Sequence, residues 1–187
     1  MRVWTLPNVV TFLRLLAVPA FAVAHATHRP MWALALFVGA GVSDGIDGLL
    51  ARLLDQRSRL GSLLDPVADK TLITTALIAL TLTGQLPLWF LLTALAREAL
   101  LVVGALAVSV RGWEVPARPA RLGKYAVFFQ LAAVTLGLIS RLPGWHPELQ
   151  SALVAATLLS AECIVLSAAQ YAWQFGSMLS QRPATRT

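Results

Sequence analysis

The sequence predicts an all-α fold: a polytopic membrane protein built as a six-transmembrane-helix bundle. Three observations carry that expectation. The 187 residues are 57% hydrophobic and only 13% charged, with a mean hydropathy of +0.70, too apolar for an ordinary soluble domain. The apolar residues fall in six runs, most of them near the ~20 residues needed to cross a hydrocarbon core. Short Pro- and Gly-containing stretches separate the runs, as helix breakers should.

The expected spans are Val9–Ala26, Met31–Leu54, Ser62–Thr83, Leu88–Val110, Ala126–Ile139 (extended toward Leu122) and Leu149–Phe175. Arg29-Pro30 breaks the first from the second. Gly84 to Pro87 ends the third, Pro116 and Pro119 follow the fourth, and Pro143-Gly144 with Pro147 precede the sixth. The chain reads as a single domain, with a polar tail over 177–187. The first apolar run carries no A-x-A-like cleavage site and is expected to stay as a helix.

Orientation follows from the basic residues. Arg2, Arg14, Arg52, Arg57, Arg59, Lys70, Arg111, Arg118, Arg121, Lys124, Arg182 and Arg186 fall on one side, and only Arg29 and Arg141 on the other. That asymmetry predicts both termini in the cytoplasm. The net charge of +6 then reflects loops facing anionic lipid rather than a nucleic-acid partner. The single Cys163 excludes an intramolecular disulfide and a multi-Cys zinc site. His25, His28 and His146 lie at or near predicted loops on one side, as interfacial residues rather than metal ligands. Six Trp residues (Trp4, Trp32, Trp89, Trp113, Trp145, Trp173) mostly fall near span ends, which an aromatic belt explains.

The chemistry concentrates in four acids. Asp44 and Asp47 are three apart near the end of span two; Asp65 and Asp69 are four apart near the start of span three. Each pair shares a helix face, and a short connection makes the two helices antiparallel neighbours. Four hard carboxylates gathered at a membrane face suit Mg²⁺ or Mn²⁺. Two ions for displacement at phosphorus are expected. Gly45, Gly48 and Gly61 leave room for a nucleotide beside the backbone, and Arg52 is a natural phosphate partner. Two other readings compete. The acids could form an interfacial salt-bridge cluster with Arg52, Arg57, Arg59 and Lys70. They could also line a cation pathway, but a pathway needs polar groups spread across the bilayer depth.

At these residues the chain resembles the CDP-alcohol phosphatidyltransferase family. Its signature D-x2-D-G-x2-A-R-x8-G-x3-D-x3-D is matched at Asp44, Asp47, Gly48, Ala51, Arg52, Gly61, Asp65 and Asp69. Leu6-Pro7-Asn8 with Thr11 and Arg14 is similar to the family's P-N-x2-T-x2-R opening. Asp65 to Lys70 and Arg121 to Lys124 read like bacterial phosphatidylglycerophosphate and cardiolipin synthases. The resemblance implies transfer of a phosphatidyl group from CDP-diacylglycerol to an alcohol, with CMP released, at the cytoplasmic face of the bacterial inner membrane. It implies Asp44, Asp47, Asp65 and Asp69 as metal ligands, with Asp69 also the general base. Gly48, Ala51, Arg52 and Gly61, with Asn8 and Thr11, would contact the cytidine and phosphates; helix capping is the competing role for Asn8 and Thr11.

For the acceptor, Arg97 lies about halfway along span four, where an arginine should face the bundle interior. With Arg118, Arg121 and Lys124 it is a candidate for binding an anionic acceptor. The alternative pairs Arg97 with an acid on another helix, such as Glu162, which sits within span six. The neighbour of Arg97, Glu98, lies about 100° away around the helix, so the two do not make the favourable i,i+4 pair. Glycerol 3-phosphate is the expected acceptor, with phosphatidylglycerol the runner-up and inositol phosphate more distant. Glycerol-phosphate members often carry a second basic residue late in span four, and Ala99 to Val110 has none. A homodimer is expected from the resemblance alone.

Overall fold

The computed structural model describes residues 6–54, 59–110 and 121–180, with side chains over 12–43, 70–104, 106, 110 and 122–173. The regular structure among these residues is helical: α1 (Leu6–Ala26), α2 (Pro30–Leu54), α3 (Arg59–Leu82), α4 (Leu88–Val110), α5 (Arg121–Ile139) and α6 (Pro147–Ser180). The six expected spans are thus six helices, with ends moved by a few residues. The largest shift is at α6, which runs on to Ser180 into the stretch expected as a tail.

The turns explain where the helices stop. Arg29 N–H donates to Ala24 O at 2.9 Å and His28 N–H to His25 O at 3.2 Å, the paired bonds of a Schellman cap. His28 supplies the left-handed residue, with φ 56°, a conformation uncommon outside glycine. The same cap closes α3, where Gln85 N–H donates to Leu80 O at 2.9 Å and Gly84 N–H to Thr81 O at 3.1 Å. There Gly84 takes φ 79° at no steric cost. Pro30 and Pro147 open α2 and α6, a position where proline's missing N–H costs nothing.

The chain divides into two compact units. The first holds residues 1–87 and 134–153, and the second 88–133 and 154–187. In the first, α1 packs along both α2 and α3. Its buried stripe is Arg14, Val18, Phe21 and His25 on α1, Ala33, Phe37 and Ala40 on α2, and Leu72, Ala76 and Leu80 on α3. These spacings of three and four are the period of one helix face. Gly137, at the end of α5, lets that helix close on α3: a Cβ there would stand 3.1 Å from Leu80 Cδ1. The second unit buries Phe90, Leu91, Ala94, Ala126 and Ala156, and Ser160 Oγ donates to Ala126 O at 3.0 Å.

Polarity is arranged for an apolar solvent. Phe12, Leu16 and Val23 on α1, Leu92 and Leu106 on α4, and Leu158 and Val165 on α6 are exposed. Arg14, His25, Gln130, Ser160 and Ser167 are buried. In water so much exposed apolar surface would be an aggregation hazard; in lipid it faces a matching medium, and small residues mediate helix contact. Two helical stretches, Leu122–Ile139 and Pro147–Trp173, are long and apolar enough to cross a membrane by length and composition. Among the described side chains, α1, α2 and α3 carry further apolar runs at Phe12–Ala26, Pro30–Ser43 and Lys70–Leu82. Trp32 and Trp89 are exposed near helix ends, where an aromatic belt places them, and Trp173 is exposed about two turns before the end of α6.

Candidate active site

The four motif aspartates lie within regular helix: Asp44 and Asp47 in α2, Asp65 and Asp69 in α3. Their register is informative. On α2 the buried positions 33, 37 and 40 continue at the same spacing to 44 and 47. On α3 the buried positions 72, 76 and 80 continue backward to 69 and 65. The acids therefore occupy the positions at which the two buried stripes run into the motif end of the first unit. Gly48, Ala51 and Arg52 follow in α2, and Gly61 opens α3.

The donor set fits a hard divalent cation. Carboxylates on two helices are the oxygen donors such an ion takes, and it keeps further positions for water and phosphate. No group of three or more His, Cys, Asp or Glu occurs among the described side chains; those of the four aspartates lie outside that set. Lys70 is exposed one residue beyond Asp69. Arg57 and Arg118 lie outside the described residues.

Asn8 and Thr11 both fall inside α1, which begins at Leu6. Their competing role as helix caps is not favoured, since a capping residue precedes the first helical turn.

In the second unit, Arg97 has a side chain only 12% exposed. It pairs with its neighbour Glu98, Nη1 to Oε1, at 2.8 Å. The contact is not the i,i+4 pair of a helix surface; both side chains are long enough to bend around the helix despite the 100° between their Cα directions. Arg97 Nη2 also donates to Gly123 O at 3.4 Å, which ties α4 to the first turn of α5 beside Lys124. Arg97 Nε is buried with no hydrogen-bond partner among the described residues. Arg121 opens α5, and Lys124 is exposed. Glu162 is exposed, so the pairing of Arg97 with it is not the one formed.

Two features were not assigned from sequence. Arg14 was grouped with loop cations, yet it is 3% exposed. Its spacing to Val18, Phe21 and His25 was the available signal. The other feature lies at the opposite end of the first unit. Arg141 Nη1 donates to His25 Nε2 at 2.9 Å and its Nη2 to His28 Nδ1 at 3.1 Å. Thr83 Oγ1 stands 3.1 Å from the same His25 nitrogen. Guanidinium only donates, so both imidazole nitrogens facing it act as acceptors. His25 is therefore buried in a polar cluster joining three turns, where an interfacial residue was expected.

Comparison with known proteins agrees with the sequence motif. Residues 4–168 match the family described as CDP-alcohol phosphatidyltransferase. A Streptomyces coelicolor protein named cardiolipin synthase (CMP-forming) is 41% identical over 156 residues, covering 79% of this chain and 71% of the relative. A Mycobacterium tuberculosis protein provisionally named a phosphatidylglycerophosphate synthase is 38% identical over 172 residues, 89% of this chain and 78% of the relative. Another M. tuberculosis protein, provisionally named a cardiolipin synthase, is 48% identical over 101 residues, 54% of this chain; the match spans about half (48%) of that relative's length. With the motif in place on α2 and α3 and most of its length matched, the chain belongs to the CDP-alcohol phosphatidyltransferase family, a family of membrane proteins.

Proposed function

We propose that this protein makes phospholipid by transferring a phosphatidyl group from CDP-diacylglycerol to glycerol 3-phosphate, yielding phosphatidylglycerophosphate and CMP. The observation that carries the reading is the register of Asp44, Asp47, Asp65 and Asp69, which continues the buried stripes of two neighbouring helices. Asp44, Asp47, Asp65 and Asp69 would hold Mg²⁺ or Mn²⁺, as two ions. Bound there, the metal supplies charge to offset the pyrophosphate and the departing CMP. Asp69 accepts the proton of the acceptor hydroxyl as that oxygen attacks phosphorus. Asn8, Thr11, Gly48, Ala51, Arg52 and Gly61 bind the cytidine and phosphates, the glycines by leaving the backbone open to close approach.

Arg97, Arg118, Arg121 and Lys124 bind the acceptor's phosphate. The unused Nε donor of Arg97 supports its part in that role. The protein sits in the bacterial inner membrane as six spans, with both termini and the acids on the cytoplasmic side, and works as a homodimer. A second reading, transfer to phosphatidylglycerol to give cardiolipin, is favoured by the names of the Streptomyces relative and of one Mycobacterium relative.

The test is CMP release from CDP-diacylglycerol by purified protein with Mg²⁺ and each acceptor in turn. Release with glycerol 3-phosphate and not with phosphatidylglycerol is the expected result. The reverse pattern would establish the cardiolipin reading. Folded protein that releases no CMP with any alcohol would sink the enzyme class, and cation flux into liposomes without CDP-diacylglycerol would replace it with transport.

A further inference from the structure

Arg14 is the cation whose burial demands an explanation. It is 3% exposed on the inward stripe of α1 and interacts with a group in the protein. A guanidinium in an apolar bundle is tolerated only when opposite charge or acceptors meet it. Within its own unit the acids are Asp44, Asp47, Asp55, Asp65, Asp69 and Glu148. Glu148 is exposed in the first turn of α6, by the opposite-end turn that precedes it.

Register brings two of the others to the height of Arg14. The rings of Phe21 and Phe37 meet with centroids 6.1 Å apart, which fixes the level of α1 against α2. Arg14 is seven residues before Phe21, and Asp44 is seven after Phe37. In this antiparallel pair both positions lie two turns, about 10 Å, from the same contact and toward the same end. The His25–Thr83 contact at 3.1 Å levels α1 against α3. Arg14 is eleven residues before His25 and Asp69 fourteen before Thr83. Their heights differ by three residues, about 4.5 Å, within reach of an arginine side chain. Asp65, one turn further on, lies deeper in the motif end.

We propose that Arg14 is a positioning residue for the acidic site: a built-in counter-cation that holds Asp44 and Asp69 together when no metal is bound. Four gathered carboxylates repel one another, and without metal that repulsion would push α2 and α3 apart. A fixed guanidinium at the inner end offsets it and keeps the ligands in place for loading. Bound metal would supply that neutralisation in its place. This inference rests on reading the aspartates as metal ligands.

The test is thermal unfolding of the full-length protein in detergent, in EDTA and in saturating Mg²⁺, for wild type, Arg14→Gln and Arg14→Lys. Arg14→Gln is expected to lower the melting temperature by about 10 °C in EDTA and by less than half of that in Mg²⁺. Arg14→Lys, which keeps the charge, should recover most of the loss. An equal drop in both conditions, no drop in EDTA, or no recovery by lysine would overturn the role. If Arg14→Gln yields no folded protein, Arg14→Lys decides alone: a loss confined to EDTA supports the counter-cation and an equal loss overturns it. Wild type that neither Mg²⁺ nor Mn²⁺ stabilises would overturn the metal reading itself, a failure distinct from that of Arg14.

Discussion

The two ends of the α1–α2–α3 unit handle buried polarity in opposite ways. At one end His25, His28, Thr83 and Arg141 satisfy one another: a single guanidinium serves two imidazoles, and the hydroxyl shares one of them. At the other, the buried stripes run into four acidic positions with one cation, Arg14, on the stripe of α1. A cluster that closes on its own hydrogen bonds is architecture. Four acids gathered at one end of two neighbouring helices repel one another, and a cationic ligand would offset that repulsion. The contrast separates a polar cluster that its own residues satisfy from one that we propose to hold a ligand.

Substitutions at the two ends should part stability from activity. The largest effect is expected at the acidic end, where Asp69→Asn should lower CMP release by about 10²-fold or more while the protein stays folded. Near-normal turnover in that variant would remove Asp69 as the base. At the opposite end, Arg141→Ala should cost about 1–3 kcal/mol of stability by leaving the buried His25 nitrogen with one partner fewer. The activity of the folded fraction should be unchanged; a comparable loss of turnover per folded molecule would show that the two ends are not independent. The smallest effect is expected for His28→Gly. Glycine relieves a left-handed backbone that costs an L-residue roughly 1–2 kcal/mol, while the freer unfolded chain and loss of the Arg141 bond together cost a similar amount. Its melting temperature should stay within a few degrees of wild type, and a large drop would mean that the His28 side chain carries more of the cluster than its exposure implies.

Much of this was legible in the sequence. The six helices followed from apolar runs and breakers, since Pro30, Gly84 and Pro147 act through local backbone geometry. The aspartate pairs were legible because spacings of three and four place residues on one helix face whatever the tertiary fold. The opposite-end cluster was not legible. His25, Thr83 and Arg141 are separated by 58 residues in each step along the chain, and only packing decides which turns meet. Arg97 was expected to find a distant acid or a ligand, and the fold gave it Glu98 next door and the carbonyl of Gly123. Side-chain reach, rather than the angle between helix positions, decided that pairing.

The sequence by itself determined the helices, their apolar character and the acidic motif, because each rests on local spacing and composition. Tertiary structure alone decided which face of α1 turns inward, and with it that Arg14 is buried while Phe12 and Leu16 face outward. Spacing puts Arg14, Val18, Phe21 and His25 on one face; contact with α2 and α3 makes that face the inner one, and the guanidinium must then find its counter-charge inside.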